Sequence, residues 1–428
     1  MIVTMRDAWT GEPIAEVTQA GPAEVERAIA AAHAARGAVA ALPGWRRREV
    51  LEHLMARVRE NAESLARTIT AEGGKPITAA RVEVARAQAT LREAAAEAGR
   101  LDGAVLDLDR DAATRGWRGF TKRVPAGVAS LITPFNFPLN LVLHKLAPAL
   151  AAGCPVLLKP APATPLTALK LGEWLAECDL PDGAFAVLPC ANEHAAPLVE
   201  DGRIAVLSFT GGLIGWDLKA RAGKKRVVLE LGGNAACIVD ADPGADLDHV
   251  VARMVAGAYA QAGQSCISVQ RLIAHRDLLP ALREKLIAAV RALPHGDPRD
   301  ERTVVGPMIS ANAAEKLDGW IDEAIAAGAT ALVRGTRDAT RPALLHASLL
   351  ENVPAHLPLY REEAFGPVLL LEAADDFEHA IARANDSRFG LQCGVFTASH
   401  ANAMRAWEAL EVGGVVIGDV PTVRVDRM

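Results

Sequence analysis

The apolar positions of the first hundred residues recur at the spacing of an α-helix. Residues 22–100 include PAEVERAIAAAHAA and RRREVLEHLMARVRENAESLARTITAE, where apolar residues return every three or four positions. Pro22 suits the first turn of a helix, because the N–H that proline lacks has no helical partner there. Gly73 and Gly74 interrupt the pattern before another helix that is predicted over roughly residues 77–98.

After Gly127 the pattern changes to short apolar runs that alternate with helical segments. The runs read GVASLIT, CPVLLKP, FAVLP, IAVLSFT and KRVVLELGG. This alternation predicts a parallel sheet with helices on both faces, and a nucleotide at its carboxyl edge. A second α/β unit is predicted after Asn234, from ACIVD, SVQRLIAH and PVLLLEA. Residues 114–125 are polar and β-prone, and predict a hairpin that projects from the first sheet domain.

Composition and charge narrow the class of protein. The chain has 428 residues, 50% of them hydrophobic and 23% charged, which predicts a globular protein of two or three domains. A net charge of −6 and a pI near 6.0 argue against nucleic-acid or membrane-surface partners. We find neither a signal peptide nor an uninterrupted apolar run of membrane-spanning length. Six scattered cysteines without CxxC pairs or histidine clusters indicate a reducing cytoplasm and no metal site.

The turns at predicted strand ends hold the first candidates for chemistry, although no GxGxxG follows the first strand. Asn136, in ITPFNFPLN, could donate its amide to a negatively charged oxygen or could cap the following helix. Lys159, in LLKPAPATP, suits a ribose or phosphate, and the alternative is an ordinary exposed lysine. The glycines of SFTGG suit close approach to a pyrophosphate, although many glycine turns bind nothing.

Two further residues could take part in catalysis. Glu230 follows the apolar run RVVL, so it is either a general base with a raised pKa or a partner of Arg226 or Lys225 in a salt bridge. Cys266 lies between two serines in QAGQSCISVQR. It is either a reactive thiol or a buried residue that only fills space in the core.

Seven segments, taken together and in order, resemble the aldehyde dehydrogenase superfamily: TPFNFPLN, LLKPAPATP, SFTGG, LELGGN, GQSC, EEAFGP and ANDSRFGL. The resemblance implies an α/β fold with a Rossmann-type cofactor domain, a second α/β catalytic domain and a small β oligomerisation hairpin. The implied boundaries are residues 1–102 and 125–229 for the cofactor domain, 103–124 for the hairpin, 230–412 for the catalytic domain and 413–428 for a return segment.

The resemblance also implies a reaction, the oxidation of an aldehyde to a carboxylic acid with reduction of NAD or NADP. Cys266 would attack the aldehyde, and the amide of Asn136 and the N–H of Cys266 would hold the oxyanion. Glu230 would activate water to release the acid, which favours hydrolysis over transfer to coenzyme A. Lys145 would support the site.

The family pattern extends to cofactor and substrate contacts. The implied cofactor contacts are Thr133, Pro134, Phe135, Lys159, Pro162, Phe209, Thr210, Gly211, Gly212, Leu231, Gly232, Glu363 and Phe365. Asn140, His144 and Arg424 fall at substrate-lining positions, and their polarity predicts a small polar aldehyde such as lactaldehyde, glycolaldehyde, glyceraldehyde or a semialdehyde. His144 could equally be an ordinary helix residue, and Arg424 could contact backbone or solvent.

The sequence departs from the family pattern at several points. Pro162 replaces an acidic residue that would repel a 2′-phosphate, so NADP becomes acceptable. The turn FTGGLIG is one residue shorter than usual, and Gly418 stands where asparagine is common. Because the chain ends at VPTVRVDRM, the expected homodimer or homotetramer is in question. The alternatives are a dehydrogenase for phosphorylated or semialdehyde substrates, or a catalytically impaired or structural homologue.

Overall fold

The computed structural model describes residues 1–422 in two compact units. The first unit comprises Met1–Met5, Ile14–Ile69 and Arg81–Glu230, and the second comprises the remaining described residues. The short segments Arg6–Pro13 and Thr70–Ala80 therefore belong to the second unit, and the segment predicted as a separate hairpin belongs to the first. The assignment of a cofactor role to one unit and a catalytic role to the other stays a prediction.

The elements up to Glu230 include a helical N-terminal part and a sheet. The helices are α1 (Pro22–Ala40), α2 (Gly44–Glu60), α3 (Ala62–Gly73), α4 (Ile77–Ala98), α5 (Asn140–Ala151), α6 (Leu166–Ala176), α7 (Ala196–Glu200) and α8 (Ile214–Arg221), with a 3₁₀ turn at Asn192–His194. The strands are β1 (Ile2–Arg6), β2 (Pro13–Thr18), β3 (Val105–Asp107), β4 (Arg118–Phe120), β5 (Val128–Ile132), β6 (Val156–Lys159), β7 (Phe185–Val187), β8 (Ile204–Thr210) and β9 (Arg226–Glu230).

The elements after Glu230 form a second α/β layer structure. The helices are α9 (Leu247–Tyr259), α10 (Leu279–Arg291), α11 (Ala311–Ala326), α12 (Pro358–Arg361), α13 (Phe377–Asn385) and α14 (His400–Ala409), with a 3₁₀ turn at Ala260–Gly263. The strands are β10 (Ala235–Val239), β11 (Val269–His275), β12 (Thr330–Val333), β13 (Ser348–Glu351), β14 (Val368–Ala374), β15 (Gln392–Phe396) and β16 (Gly414–Ile417).

The first unit contains a parallel five-stranded sheet in the order β7-β6-β5-β8-β9. Every residue of the central strand β5 is buried, because helices cover both faces of a sheet of this type. The chain runs outward from β5 through β6 and β7, and then returns to the other side of β5 with β8 and β9. A reversal of this kind leaves a crevice at the carboxyl edge, where ligands of doubly wound folds bind.

The second unit contains a seven-stranded sheet in the order β12-β13-β14-β11-β10-β15-β16. Its pairs are parallel except for β12 with β13. Helices α9, α10 and α11 supply buried apolar residues to the main core cluster against β11 and β14. Strand β16 lies within the segment that was predicted to return from this unit, and it pairs with β15.

The predicted hairpin exists as the antiparallel pair β3 and β4. It begins earlier than the predicted residues 114–125, because the first strand lies before the polar turn rather than inside it. Among residues 1–422, no helix is both long enough and apolar enough to cross a membrane.

Candidate active site

The register of the five-stranded sheet brings several candidate residues to one edge. Ile132, the last residue of β5, pairs with Lys159 on one side and with Phe209 on the other. Thr210 pairs with Glu230 on the outer strand. The turn after β5, the lysine and the glutamate therefore follow one another along the carboxyl edge, where the sequence predicted a nucleotide.

Asn136 lies in the turn between β5 and α5 and is buried. It does not cap α5, because the residue before that helix is Leu139. The first N–H groups of the helix are instead held by buried Glu83, whose Oε1 accepts from Leu139 N at 2.9 Å and from Asn140 N at 3.0 Å. The capping interpretation of Asn136 is therefore wrong.

Lys159 is not an ordinary exposed lysine, since only 3% of it is accessible to solvent. Its Nζ donates to Asn192 Oδ1 at 3.0 Å, and burial lowers the pKa of the ammonium. A buried amine at a strand end is suited to hydroxyl or phosphate oxygens of a bound nucleotide. Pro162, three residues after Lys159, is exposed and presents no carboxylate.

The turn after β8 contains Gly211 and Gly212, which the sequence predicted to lie beside a pyrophosphate. Gly211 N donates to Glu230 O at 3.0 Å, which fixes the turn against β9. A Cβ on Gly211 would lie 2.7 Å from the Phe209 ring, so a larger residue there would require the ring to move. A Cβ on Gly212 would meet nothing within 4 Å, which leaves open space in front of the turn.

Lys145 and Glu230 belong to the same charged group. Lys145 is buried and donates its Nζ to Ser208 Oγ at 2.9 Å. Burial lowers the pKa of Lys145 to about 8, and the negative charge of Glu230 opposes that shift. Glu230 itself is exposed, because β9 is the edge strand of its sheet.

The salt-bridge alternative for Glu230 is not supported either. Among residues 1–422, Glu230 forms no ion pair with Arg226 or Lys225. Lys225 donates instead to the carbonyls of Glu200 and Ala222, at 2.9 and 3.2 Å. The carboxylate of Glu230 is therefore left facing solvent at the ligand edge of the sheet.

A polar cluster lies where α4 and α5 meet in the first unit. Thr90 Oγ donates to Asn140 Oδ1 at 3.0 Å, and Asn140 Nδ2 lies 3.2 Å from His144 Nε2. The amide thus faces an imidazole nitrogen without a proton. Burial lowers the pKa of His144 to about 4, with further lowering by the positive charges of Arg86 and Lys145. Arg86 is half-buried, and its guanidinium lies 5.5 Å from the centre of the Phe137 ring.

The second unit holds Cys266 in an unusual turn. Gln261, Ala262 and Gly263 adopt left-handed φ values of 46°, 58° and 67° in succession. A Cβ on Gly263 would lie 2.1 Å from Gly366 O, so the backbone approaches too closely for any side chain. Cys266 and Cys178 are half-buried, whereas Cys154, Cys190, Cys237 and Cys393 are buried. The sulfur therefore sits on a rigid turn with partial access.

Three of the quoted motifs meet around this turn. A Cβ on Gly233 would lie 2.1 Å from Cys266 O, and a Cβ on Gly232 would lie 2.3 Å from Glu363 Oε2. Gly233 N also donates to Glu363 Oε1 at 3.0 Å. Burial raises the pKa of Glu363 to about 7, and the N–H of Gly233 opposes the shift. The segments LELGGN, GQSC and EEAFGP are therefore in direct contact within the second unit.

The remaining predicted contacts fall on the same elements. Phe365, in the EEAFGP segment, has a left-handed φ of 48°, and Leu231 is half-buried beside the two glycines. Thr133 is buried in the turn after β5, where Pro134 and Phe135 are half-buried. Arg424, predicted to contact substrate, lies outside the described residues.

The same family emerges from comparison with known proteins. The sequence model of the family described as "Aldehyde dehydrogenase family" matches residues 2–428. The chain belongs to the aldehyde dehydrogenase family. It is an oxidoreductase that acts on aldehydes and uses NAD or NADP, and the fold agrees, with TM-scores of 0.97 and 0.93 to the two family structures described below.

Three relatives show how far the similarity extends. A 3-sulfolactaldehyde dehydrogenase from Priestia aryabhattai is 38% identical over 422 residues, covering 98% of this chain and 87% of the relative. The structure of aldehyde dehydrogenase 21 from Physcomitrella patens, in complex with the reaction product succinate, is 45% identical and covers 99% of this chain and 88% of that one. The structure of glyceraldehyde-3-phosphate dehydrogenase from Methanocaldococcus jannaschii, complexed with NADP, is 32% identical. The match covers 99% of this chain and 91% of that one.

Two residues of this aldehyde dehydrogenase were missed by sequence reasoning. Arg86 lies on a helix where only the apolar stripe was considered, although the buried Glu83 one turn earlier already breaks that stripe. Gln270 lies in the run SVQRLIAH, which was interpreted only as a strand. A polar residue inside an apolar strand or on the inner face of a helix is the signal that could have found both.

Proposed function

We propose that this enzyme oxidises a small aldehyde that carries an anionic group to the corresponding carboxylic acid, with reduction of NAD or NADP. The observation that carries the substrate class is the position of Arg86 beside the side chains predicted to line the substrate site. Its positive charge lowers the pKa of His144, so the two side chains are close, and Asn140 contacts the same imidazole. A small polar aldehyde was expected from the sequence, and the charge of Arg86 refines that expectation.

The proposed chemistry begins at the thiolate of Cys266. Its sulfur attacks the aldehyde carbon, and the carbonyl oxygen becomes an oxyanion that the amide of Asn136 and the N–H of Cys266 stabilise. The rigid left-handed turn before Cys266 supports this role, because a preformed N–H donor needs no reorganisation during the reaction. Loss of a hydride from the carbon then converts the thiohemiacetal into a thioester.

Release of the acid is assigned to Glu230. The carboxylate accepts a proton from water, the resulting hydroxide adds to the thioester carbon, and the thiolate of Cys266 leaves. The exposure of Glu230 supports access of that water. Burial lowers the pKa of Lys145 to about 8, so it carries positive charge near Glu230 at neutral pH.

The residues for cofactor binding fit a nicotinamide dinucleotide. When it is bound, the nicotinamide supplies the acceptor for the hydride. Lys159 is proposed to bind the adenosine ribose, and the Gly211 turn to lie against the pyrophosphate, where open space adjoins the backbone. Glu363 and Phe365 are proposed to hold the nicotinamide ribose and ring. Pro162 offers no charge against a 2′-phosphate, so NADP is accepted as well as NAD.

The names of the three relatives described above support an anionic substrate. They refer to 3-sulfolactaldehyde, succinate and glyceraldehyde 3-phosphate, which carry a sulfonate, a carboxylate and a phosphate respectively. A guanidinium is suited to all three groups, because it forms charge-assisted hydrogen bonds in a planar fork. His144 is neutral near pH 7 and supplies no such charge.

The test is reduction of NAD and of NADP by the purified enzyme with matched aldehydes. Succinic semialdehyde, 3-sulfolactaldehyde and glyceraldehyde 3-phosphate form the anionic set, and butanal, lactaldehyde and glyceraldehyde the neutral one. We expect at least one anionic aldehyde to exceed its neutral counterpart about tenfold in kcat/KM. Equal values for both sets would contradict the substrate class, and no turnover with any aldehyde would contradict the proposed chemistry.

Assembly with a second copy of the chain is also proposed. On the β3–β4 hairpin Val105, Trp117 and Phe120 are 72%, 61% and 76% exposed, and apolar side chains in such a group favour a protein contact. Sedimentation of the purified chain as a monomer at micromolar concentration would contradict this. The cytoplasm is the proposed compartment, since the six cysteines are free, and cell fractionation tests it.

The alternative of a catalytically impaired homologue gains no support from the described residues. Cys266, Asn136, Glu230 and Lys159 all stand on regular, packed elements or on turns that those elements fix. An inert thiol at Cys266 in the purified protein would favour that alternative.

A further inference from the structure

The side chain of Gln270 holds the backbone on both sides of Glu363. Gln270 is buried at the start of β11, and its Oε1 accepts from Ala364 N at 2.9 Å. Its Nε2 donates to Glu362 O and to Leu359 O, both at 2.9 Å. The amide thus forms two hydrogen bonds with backbone groups before Glu363 and one with a backbone group after it.

The orientation of this amide is determined by its partners. Ala364 N is a donor and requires the oxygen of the amide, whereas two carbonyl oxygens require its NH₂ group. A flipped amide would place donor against donor and acceptor against acceptor. The three hydrogen bonds therefore define one position of the backbone at Glu363.

A second buried amide contacts the same segment from the glycine motif. Asn234 Nδ2 donates to Tyr360 O at 2.9 Å and to Glu362 O at 3.1 Å. The segment after α12 belongs to no strand until β14 begins, so its backbone groups need side-chain partners when they are buried. Gln270 and Asn234 supply them, and Glu362 O receives a hydrogen bond from each.

The segment in question carries the side chains assigned above to the nicotinamide ribose and ring. Glu363 is also held by Gly233 N, and Phe365 adopts its left-handed φ just beyond Ala364. Gln270 follows Cys266 by four residues along the chain. One side chain therefore links the strand that follows the nucleophile to the backbone of the proposed cofactor contact.

We propose that Gln270 is a positioning residue for the nicotinamide half of the cofactor, acting through the backbone of Glu362 and Ala364 on Glu363 and Phe365. The proposal rests on the cofactor role proposed for Glu363. In this proposal Gln270 contacts neither substrate nor cofactor. It affects only the position of the backbone that carries Glu363 and Phe365.

The test compares Gln270→Met with Gln392→Met in the full-length enzyme. Methionine keeps the length of the side chain but removes all three hydrogen bonds. The control glutamine lies on β15 of the same sheet, where its Oε1 accepts only from Thr422 N at 3.0 Å among the described residues. The measurements are the dissociation constant of NAD or NADP, kcat, the rate of Cys266 alkylation without cofactor, and Tm.

For Gln270→Met we expect the dissociation constant of the cofactor to rise about tenfold or more. The alkylation rate of Cys266 is expected to stay within about twofold of wild type, because the turn from Gln261 to Gly263 is held by other contacts. For Gln392→Met both quantities are expected to stay within about twofold. A purely structural role of Gln270 would lower Tm and leave the cofactor constant equal to that of the control, which would overturn the proposal.

Two further variants keep the outcome decisive. If Gln270→Met does not fold, Gln270→Asn takes its place, since the shorter amide keeps the polarity but cannot reach the segment. Glu363→Ala is measured in parallel. If Glu363→Ala weakens cofactor binding and the Gln270 variant does not, only the positioning proposal is overturned. If Glu363→Ala has no effect on cofactor binding, the cofactor role proposed for Glu363 is overturned as well.

Discussion

The turn that carries Cys266 and the polar cluster around His144 are built by different physical means. The turn depends on backbone geometry, with three successive left-handed residues and a glycine whose Cβ would lie 2.1 Å from a carbonyl oxygen. The cluster depends on side chains, in which Thr90, Asn140 and His144 contact one another beside Arg86.

The two constructions should respond differently to change. At Gly263 the backbone of Gly366 and Ala258 occupies the space that an added methyl group would need, so the turn cannot accept one without moving. The cluster can lose a side chain without moving its helices, yet its charges respond to pH and to the charge of a ligand. We therefore expect the chemistry common to the family to depend on the rigid turn that carries Cys266. The choice of substrate is expected to depend on the side chains of the cluster around His144.

The largest effect is expected from Cys266→Ala. Removal of the sulfur removes the nucleophile, so kcat for aldehyde oxidation should fall by about 10⁴-fold or more, with no burst of reduced cofactor. Stopped-flow absorbance of the reduced nicotinamide measures this. A burst of wild-type size from the variant would show that another residue forms the covalent intermediate.

Glu230→Gln is the matched control for that experiment. It keeps the thiol and removes the proposed base for the second half of the reaction. A burst close to one reduced cofactor per active site followed by slow turnover is expected, because hydride transfer precedes hydrolysis. Loss of the burst would place Glu230 in the first half-reaction instead.

Gly263→Ala tests the rigidity of the turn. The new Cβ would lie 2.1 Å from Gly366 O and 3.1 Å from Ala258 O, at a φ of 67° that L-residues avoid. We expect the free energy of unfolding to fall by about 3 kcal/mol or more, measured by urea denaturation. Gly319→Ala in α11 is the control, since its Cβ would meet nothing within 4 Å, and it should stabilise the protein by about 0.5–1 kcal/mol.

The strand ends were predictable from the sequence because their positions follow from an alternating pattern. Once GVASLIT, CPVLLKP and IAVLSFT are parallel neighbours, the residues at their ends must share an edge, and the register places Lys159 and Thr210 there. The resemblance to the family supplied the roles of these residues, which the hydrophobic pattern alone could not indicate.

Other features could not be predicted in this way. The exposure of Glu230 depends on β9 being an edge strand, which the apolar run RVVL does not reveal. The left-handed conformations of Gln261 and Ala262 run against the preference of their residue types and follow from tertiary contacts. Gln270 acts on a segment about ninety residues away in sequence, so its partners were invisible before the fold was known.

Substitution of Arg86 tests whether the polar cluster around His144 determines the choice of substrate. Arg86→Gln removes the positive charge from the cluster, so kcat/KM for an anionic aldehyde should fall about tenfold to a hundredfold. Neutral aldehydes should change by less than about threefold, since they form no charge-assisted bond. Arg92→Gln on the same helix is the control, because its side chain is exposed. Equal losses for both classes of aldehyde would mean that Arg86 maintains structure and does not select substrate.

The smallest effect is expected in the pH dependence of stability from His144→Asn. Burial lowers the pKa of His144 to about 4 from its ordinary 6.5, so between these values the unfolded chain binds a proton that the folded protein does not. The neutral histidine therefore costs no stability above pH 6.5, and the penalty for burying it unprotonated grows as the pH falls towards 4.

Urea denaturation of wild type and His144→Asn at pH 7 and pH 5 measures this difference. Between pH 7 and pH 5 the wild type should lose about 2 kcal/mol more than the variant. His295, whose pKa burial also lowers to about 4, adds the same dependence to both proteins and cancels in the comparison. The exposed His400, substituted in the same way, should leave the wild-type dependence intact. If His144→Asn retained the full wild-type dependence, the imidazole would have the same pKa in the folded and unfolded chain, and its burial in the cluster would not disfavour the protonated form.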